Sequence, residues 1–167
     1  MTGRPRHKEL VLAAHPTSRG FGWVVFEGPL APVDWGIAFA KQERNERLMK
    51  RFQRLLDRYQ PAALVLEHFE DRTGASHRLF RMMEHAAKCR GMDVPIFQKA
   101  AVQAVFGNVG AKTRYEIAEV IRNQIDAFSH QMPRKRTLIV KADPKQAMFD
   151  AAALAMTYFG LLSDTQP

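Results

Sequence analysis

The sequence contains a single cysteine, and its hydrophobic runs are short. Because Cys89 has no second thiol in the chain to pair with, an intramolecular disulfide is excluded and a reducing cytoplasm is the expected location. No apolar run approaches the roughly 20 residues that cross a bilayer. The basic residues 1–8 are followed by only five apolar residues, too few for a secretory signal. We therefore expect a protein without a membrane partner.

Acidic residues are also scarce relative to basic ones. Seventeen Asp and Glu oppose 25 Lys and Arg, which gives a formal net charge of +8 and an isoelectric point near 10.0. Any one basic cluster fits a solvated helix face, but together the clusters favour a polyanionic partner, most commonly nucleic acid. The clusters recur along the chain: Arg44, Arg47, Lys50, Arg51, Arg54 and Arg58; Arg72, Arg78 and Arg81; Lys112 and Arg114; and Arg134, Lys135 and Arg136.

The composition and the first 40 residues predict a globular domain that begins with strands. With 167 residues, of which 46% are hydrophobic and 25% charged, the chain is expected to form one soluble domain over residues 1–167. Two apolar runs joined by a polar, glycine-bearing turn predict a pair of antiparallel strands. Alternating apolar residues predict a third antiparallel strand. The three strands are predicted at Leu10–Ala14, Gly22–Phe26 and Val33–Ala40.

The rest of the chain alternates helical patterns with short apolar strands. Helices are predicted at Gln42–Gln60, His77–Arg90, Lys99–Phe106, Lys112–Phe128 and Asp143–Phe159, and strands at Ala62–Leu66 and Val94–Phe97. Residues 71–76 are predicted as a loop, and residues 130–141 as a basic linker with a short extended piece at Leu138–Val140. This order predicts an α/β fold, a mixed sheet of three antiparallel strands and then parallel strands, flanked by helices.

Three polar residues occupy places where such a fold gathers ligands. His15 ends the first strand, Glu67 ends the buried fourth strand, and Asp150 lies in the alanine-rich last helix. Two carboxylates and a histidine could hold a divalent metal with open positions for water and phosphate. The alternatives are a turn-capping imidazole, a strand-end carboxylate and a surface carboxylate, respectively.

Four motifs in order resemble the RuvC-type Holliday-junction resolvases of the RNase H-like superfamily. The first is A-A-H-P-T-S-R-G-F-G-W around His15, where that family has an aspartate before the proline. The second is A-A-L-V-L-E-H-F, an apolar strand that ends in Glu67. The third is V-Q-A-V-F-G-N-V-G-A-K-T with Lys112, and the fourth is D-A-A-A-L-A-M-T from Asp150. The resemblance covers roughly residues 10–160.

The resemblance implies an RNase H-like fold and a junction-cutting endonuclease that depends on Mg²⁺ or Mn²⁺. Glu67 and Asp150 match two of the family's four acidic ligands, whereas His15 and Ala147 replace the other two. A neutral imidazole supplies no negative charge and cannot bridge two ions, so a site with His15, Glu67 and Asp150 as ligands would suit Mn²⁺ better than Mg²⁺. Asp143 is interpreted as a helix cap rather than a ligand.

Three classes of function remain open at this point. The first is an endonuclease for branched or four-way-junction DNA, with Glu67, Asp150 and His15 at the metal and Lys112 stabilising charge on the phosphate. The second is a protein with the same fold that binds branched DNA without efficient cleavage. The third is a protein-interaction module in which the positive charge serves solubility or protein partners.

The resemblance also predicts a DNA-contacting surface and a dimer. Phe69 would pack against unpaired bases, although a core aromatic is an equal alternative. The candidate nucleic-acid-binding residues are Phe69, Arg72, Arg78, Lys112 and Arg114. The helix His77–Arg90, with its Met82–Met83 pair, would form a homodimer contact.

Overall fold

A five-stranded mixed sheet forms the centre of the protein. The computed structural model describes residues 9–69, 74–135 and 143–163, the last three of these through their backbone only. The strands are β1 (Val11–Pro16), β2 (Gly20–Phe26), β3 (Pro32–Phe39), β4 (Ala63–Glu67) and β5 (Ile96–Phe97), in the spatial order β3-β2-β1-β4-β5. The β1–β2 and β2–β3 pairs are antiparallel, and the β1–β4 and β4–β5 pairs are parallel. The predicted fold class is confirmed.

Helices cover both faces of the sheet. They are α1 (Arg44–Tyr59), α2 (Gly74–Cys89), α3 (Lys99–Gly107), α4 (Arg114–Gln124) and α5 (Lys145–Ser163), with a 3-10 turn at Asp126–Phe128. The first two helices pack on one face of the sheet, and the other three pack on the opposite face. The part of the chain that the structure describes contains no helix long and apolar enough to span a membrane.

Helix α1 is amphipathic and has defined ends. Leu48, Phe52 and Leu56 are buried against the sheet, at the four-residue spacing that places side chains on one helix face. The helix ends where Gln60 adopts a left-handed conformation and its N–H donates to the Leu56 carbonyl. Pro61 follows and cannot continue the helical hydrogen-bond pattern.

Strand alternation decides which side chains of β1 face which helices. Leu12 and Ala14 pack with the cluster beneath α1 and α2, and Val11 and Ala13 pack with the cluster beneath α5. By the same alternation, His15 lies on the α5 face.

Two glycines of β2 allow neighbouring backbones to approach closely. A Cβ on Gly20 would lie 1.8 Å from the Ala38 carbonyl oxygen of β3. A Cβ on Gly22 would lie 2.2 Å from the Ala147 carbonyl carbon of α5. The G-F-G sequence therefore sets β2 against β3 and lets α5 rest directly on the sheet.

Several predicted boundaries are wrong by a few residues. Helix α2 begins at Gly74, inside the predicted loop, because the Ser76 hydroxyl donates to the Thr17 carbonyl and holds the first turn in place. Helix α4 begins only after Thr113, whose side chain accepts from the Glu116 N–H, and it ends at Gln124 rather than Phe128. The strand β5 has only two residues. Residues 138–140 lie outside the described part.

Helix α2 packs on the sheet through one stripe of side chains. Leu79, Phe80, Met83 and Ala87 are buried, whereas Met82 is 39% exposed. The buried stripe follows the spacing of Leu79, Met83 and Ala87, and Met82 lies to one side of it.

Candidate functional site

The pairing of two parallel strands places His15 beside Glu67. In the β1–β4 register, Leu12 is opposite Leu64 and Ala13 is opposite Val65. Two residues further along each strand, His15 and Glu67 point to the same face of the sheet. The His15 Nε2 atom lies 3.0 Å from Glu67 Oε2. Two residues that are 52 positions apart in the sequence thus form one hydrogen bond at the strand ends.

Helix α5 brings Asp150 to the same imidazole. The close approach at Gly22 places α5 on the sheet at Ala147, one helical turn before Asp150. The Asp150 Oδ2 atom lies 3.8 Å from His15 Nδ1. The structure therefore brings the three residues together, with His15 between the two carboxylates. That these three residues are catalytic or ligate a metal stays a prediction.

Arg114 forms an ion pair with Asp150. Arg114 is the first residue of α4, and its guanidinium contacts both carboxylate oxygens, with Nε 3.3 Å from Oδ1 and Nη2 against Oδ2. The Gln146 Nε2 atom donates to Oδ1 at 3.1 Å. The Asp150 carboxylate thus accepts hydrogen bonds from two side chains. The sequence predicts Arg114 as a DNA contact but not this pairing. Gln146 is not predicted either, although its four-residue spacing from Asp150 is a signal for such a contact.

The pKa of His15 lies above its ordinary value. Burial is the largest single influence and lowers the pKa. The charge of Asp150 and the hydrogen bond to Glu67 together raise the pKa by more than burial lowers it. The Nδ1 atom is shielded from solvent and has no hydrogen-bond partner among the described residues, although 20% of the side chain is exposed. The site thus favours the protonated imidazole, in which both ring nitrogens are donors.

A cavity of about 290 Å³ opens at this point. Its charged lining comprises Glu67, Asp150, Lys99, Lys112 and Arg114, so three cations face two carboxylates before His15 is considered. Lys99, the first residue of α3, was not selected from the sequence, because nothing in its local pattern separates it from any exposed lysine.

The other predicted DNA contacts lie in different places. Phe69 lines the cavity and also packs against His77 and Phe80, with ring centroids 5.9 and 6.4 Å apart, respectively. Arg78 is exposed on α2 and does not line the cavity. Arg72 lies outside the described residues.

As arranged, these side chains do not fit a divalent ion. His15 Nε2 is bonded to Glu67, and both oxygens of Asp150 contact a guanidinium. The guanidinium at this carboxylate also repels a divalent cation. Across residues 9–69, 74–135 and 143–163, no group of three or more His, Cys, Asp or Glu side chains is placed to hold a metal ion.

Comparison with solved structures identifies the fold. RuvC of Thermus thermophilus superposes with a TM-score of 0.66 at 20% sequence identity, over 93% of this chain and 97% of that one. The same protein in complex with a Holliday junction substrate gives a TM-score of 0.68 at 19% identity, over 94% and 97%. The fowlpox virus Holliday junction resolvase gives 0.57 at 10% identity, over 91% and 99%. The chain has a RuvC-like fold.

The RuvC-like fold extends over nearly the whole chain and confirms the resemblance at the level of structure. No protein-family model matches the sequence, and no curated protein sequence matches it. Since the identities lie at or below 20%, the comparison establishes the fold.

Proposed function

We propose that the protein binds branched DNA, and four-way junctions in particular, through the cavity at the ends of β1 and β4. The observation that carries this proposal is the lining of that cavity, where Lys99, Lys112 and Arg114 outnumber Glu67 and Asp150. Excess positive charge in a concave site attracts the phosphate backbone. The Thermus protein, which has the same fold, is seen bound to a Holliday junction substrate.

The charge outside the cavity supports a nucleic-acid partner. On α1, Arg47 and Lys50 pair with Glu43 and Glu46, respectively, four residues away. Arg51 and Arg54 on the same helix are exposed. A long duplex arm that lies across the protein could contact these exposed cations together with Arg78 on α2.

Phe69 is the proposed contact to the bases. Phe69 lines the cavity, as Glu67 does, and its ring packs against His77 and Phe80. An aromatic ring held this way can stack on an unpaired base at a junction without losing its own packing. If it is only a core residue, Phe69→Leu will lower stability without changing the preference for junctions over duplex.

A salt titration tests the proposal. Binding to a labelled four-way junction should weaken steeply with salt, by about 10³-fold or more between 50 and 200 mM if six or more phosphates are contacted. Duplex DNA of the same length and sequence is the control and should bind more weakly at each salt concentration. No binding at low salt would instead favour the protein-interaction module.

Metal-dependent cleavage is the second candidate function. Glu67 of β4 and Asp150 of α5 lie at the same imidazole at the strand ends, and a divalent ion could bind them only by displacing His15 and Arg114. Cleavage of a junction with Mg²⁺ or Mn²⁺ should then be lost in Glu67→Gln and in Asp150→Asn and reduced in Lys112→Gln. Activity that persists in the first two variants would contradict this role for the carboxylates.

A homodimer is proposed by resemblance alone, with α2 as its contact. Met82 is available on the α2 surface, whereas Met83 is fully buried in the core of the protomer. Sedimentation equilibrium should therefore show a dimer that Met82→Glu weakens. A monomer at all concentrations would reject the dimer and leave the DNA-binding proposal standing.

A further inference from the structure

Arg114 carries a positive charge directly beside Asp150. Its guanidinium contacts both oxygens of Asp150, and the charge of Glu67 also acts on it. With 51% of its side-chain surface exposed, Arg114 also faces the cavity. A guanidinium has five N–H donors, and its contacts with Asp150 engage Nε and Nη2 only.

Two helices begin at the same cavity. Lys99 and Arg114 are the first residues of α3 and α4, and both line the cavity, as does Lys112 just before α4. Helix N-termini carry partial positive charge and favour anions. The cations and both helix N-termini therefore favour the binding of an anion. The two carboxylates oppose it less than free ones would, because Glu67 is paired with His15 and Asp150 with Arg114.

We propose that this cavity is a phosphate site that works without a metal ion, in which Arg114 provides the positive charge between the carboxylates and the DNA backbone. A phosphodiester oxygen would accept from the outward N–H groups of Arg114 and from Lys99 and Lys112. The proposal rests on the DNA-binding function above and defines the chemistry of its central contact.

The pairing of both carboxylates explains why Arg114, rather than a metal ion, would contact the phosphate. A divalent ion would have to displace a bidentate ion pair from Asp150 and a hydrogen bond from Glu67. The backbone of Arg114 is held at the start of α4, where the Thr113 side chain accepts a hydrogen bond from the Glu116 N–H. The site is thus preorganised for an anion.

The first test compares junction binding in EDTA with binding in MgCl₂ at matched ionic strength, with the full chain and fluorescence anisotropy. We expect affinities that agree within about twofold. A gain in affinity of about tenfold or more with Mg²⁺ would overturn the proposal, because it would correspond to about 1.4 kcal/mol of binding free energy from the metal. Binding of Mn²⁺ to the protein alone at micromolar concentration, measured by electron paramagnetic resonance, would also overturn it.

The second test uses Arg114→Gln beside Arg122→Gln, which removes the same charge further along α4. Arg114→Gln should weaken junction binding by about tenfold, the ratio expected for loss of one charge-assisted hydrogen bond. It should also raise the affinity for Mn²⁺, because Asp150 loses its counter-ion. Equal effects of the two variants on DNA binding would overturn the proposal. Arg114→Lys keeps the charge and serves if the glutamine variant fails to fold.

The third test asks whether the ligand is a phosphate group by itself or DNA backbone only. Inorganic phosphate should compete with the junction more strongly than chloride at matched ionic strength, in the natural protein but not in Arg114→Gln. Competition that is equal in both proteins would overturn the assignment to this cavity. If no junction binds at low salt under any condition, the proposed function itself fails, whereas binding that requires metal rejects only this inference.

Discussion

The imidazole of His15 connects two carboxylates that come from different parts of the fold. It bonds Glu67 at 3.0 Å and lies 3.8 Å from Asp150. In this position a cation satisfies both carboxylates, whereas a third carboxylate would leave three like charges around one point. The identity of residue 15 therefore decides whether the negative charge of Glu67 and Asp150 is neutralised by neighbouring side chains or by an added ion.

The variant His15→Asp tests this balance. In the absence of divalent ions, its free energy of unfolding should fall by about 1.5–3 kcal/mol, the range for a lost hydrogen bond to a charged group. Mn²⁺ should restore part of that stability in the variant and leave the natural protein unchanged, as measured by thermal unfolding. His15→Asn removes the imidazole without adding charge and is the control. A variant that ignores Mn²⁺ would show that three carboxylates here do not form an ion site.

A second prediction concerns Gly22, where β2 meets α5. In Gly22→Ala the new methyl group would lie 2.2 Å from the Ala147 carbonyl carbon, so α5 must move away from the sheet. We expect a loss of about 1–3 kcal/mol, as for other overpacked sites. Urea unfolding measures it, with Gly28→Ala as the control, because a Cβ on Gly28 meets nothing within 4 Å. Equal stability of the two variants would contradict the close approach of α5.

Among the elements, α5 has an N-terminal cap, Asp143, that also hydrogen-bonds the backbone at Arg134. The Asp143 carboxylate accepts from the Lys145 N–H and from the Arg134 N–H, each at 3.0 Å. Burial alone would raise the pKa of Asp143, but these two hydrogen bonds and the charge of Arg134 lower it below its ordinary value of 3.8. The cap thus favours the ionised carboxylate.

Removal of this cap should therefore have a pH-dependent effect. Asp143→Ala should cost about 1 kcal/mol of unfolding free energy at neutral pH. Because the folded-state pKa is lowered, the stabilisation is present above the ordinary pKa and is lost as the pH falls through the folded-state value. Denaturation at a series of pH values should show the gap between the two proteins closing in acid. A gap independent of pH would mean that the charge of Asp143 is not what stabilises α5.

The elements differ in how far the sequence predicts them. The three antiparallel strands and helix α1 follow from local alternation and spacing, so their existence and pairing are predicted correctly. The start of α2 depends on the bond from Ser76 to the Thr17 carbonyl, a contact between distant segments that local patterns do not contain. The pairing of Arg114 with Asp150 is likewise set by how α4 packs beside α5. By contrast, the position of His15 and Glu67 at the ends of two predicted strands is a local feature, and it is enough to predict that they lie close together.

For the whole molecule, one cooperative domain is the remaining expectation, and two tryptophans can test it. Trp23 packs with the cluster beneath α1 and α2, and Trp35 packs with the cluster beneath α5, 5.0 Å from the Phe128 ring centroid. In Trp23→Phe and Trp35→Phe, the remaining tryptophan reports one face of the sheet. Urea transitions followed by fluorescence and by circular dichroism should coincide within each variant. Separate transitions would show that the two layers unfold independently.

The parallel register of β1 and β4 also has a consequence for the order of events in folding. Strands β1, β2 and β3 are neighbours in sequence and can pair early, whereas the His15–Glu67 contact closes a separation of 52 residues. Asp150 and Arg114 arrive later still along the chain. A partly folded chain with only the three-stranded meander formed would carry none of the assembled cavity. DNA should therefore slow unfolding of the finished protein without accelerating its folding.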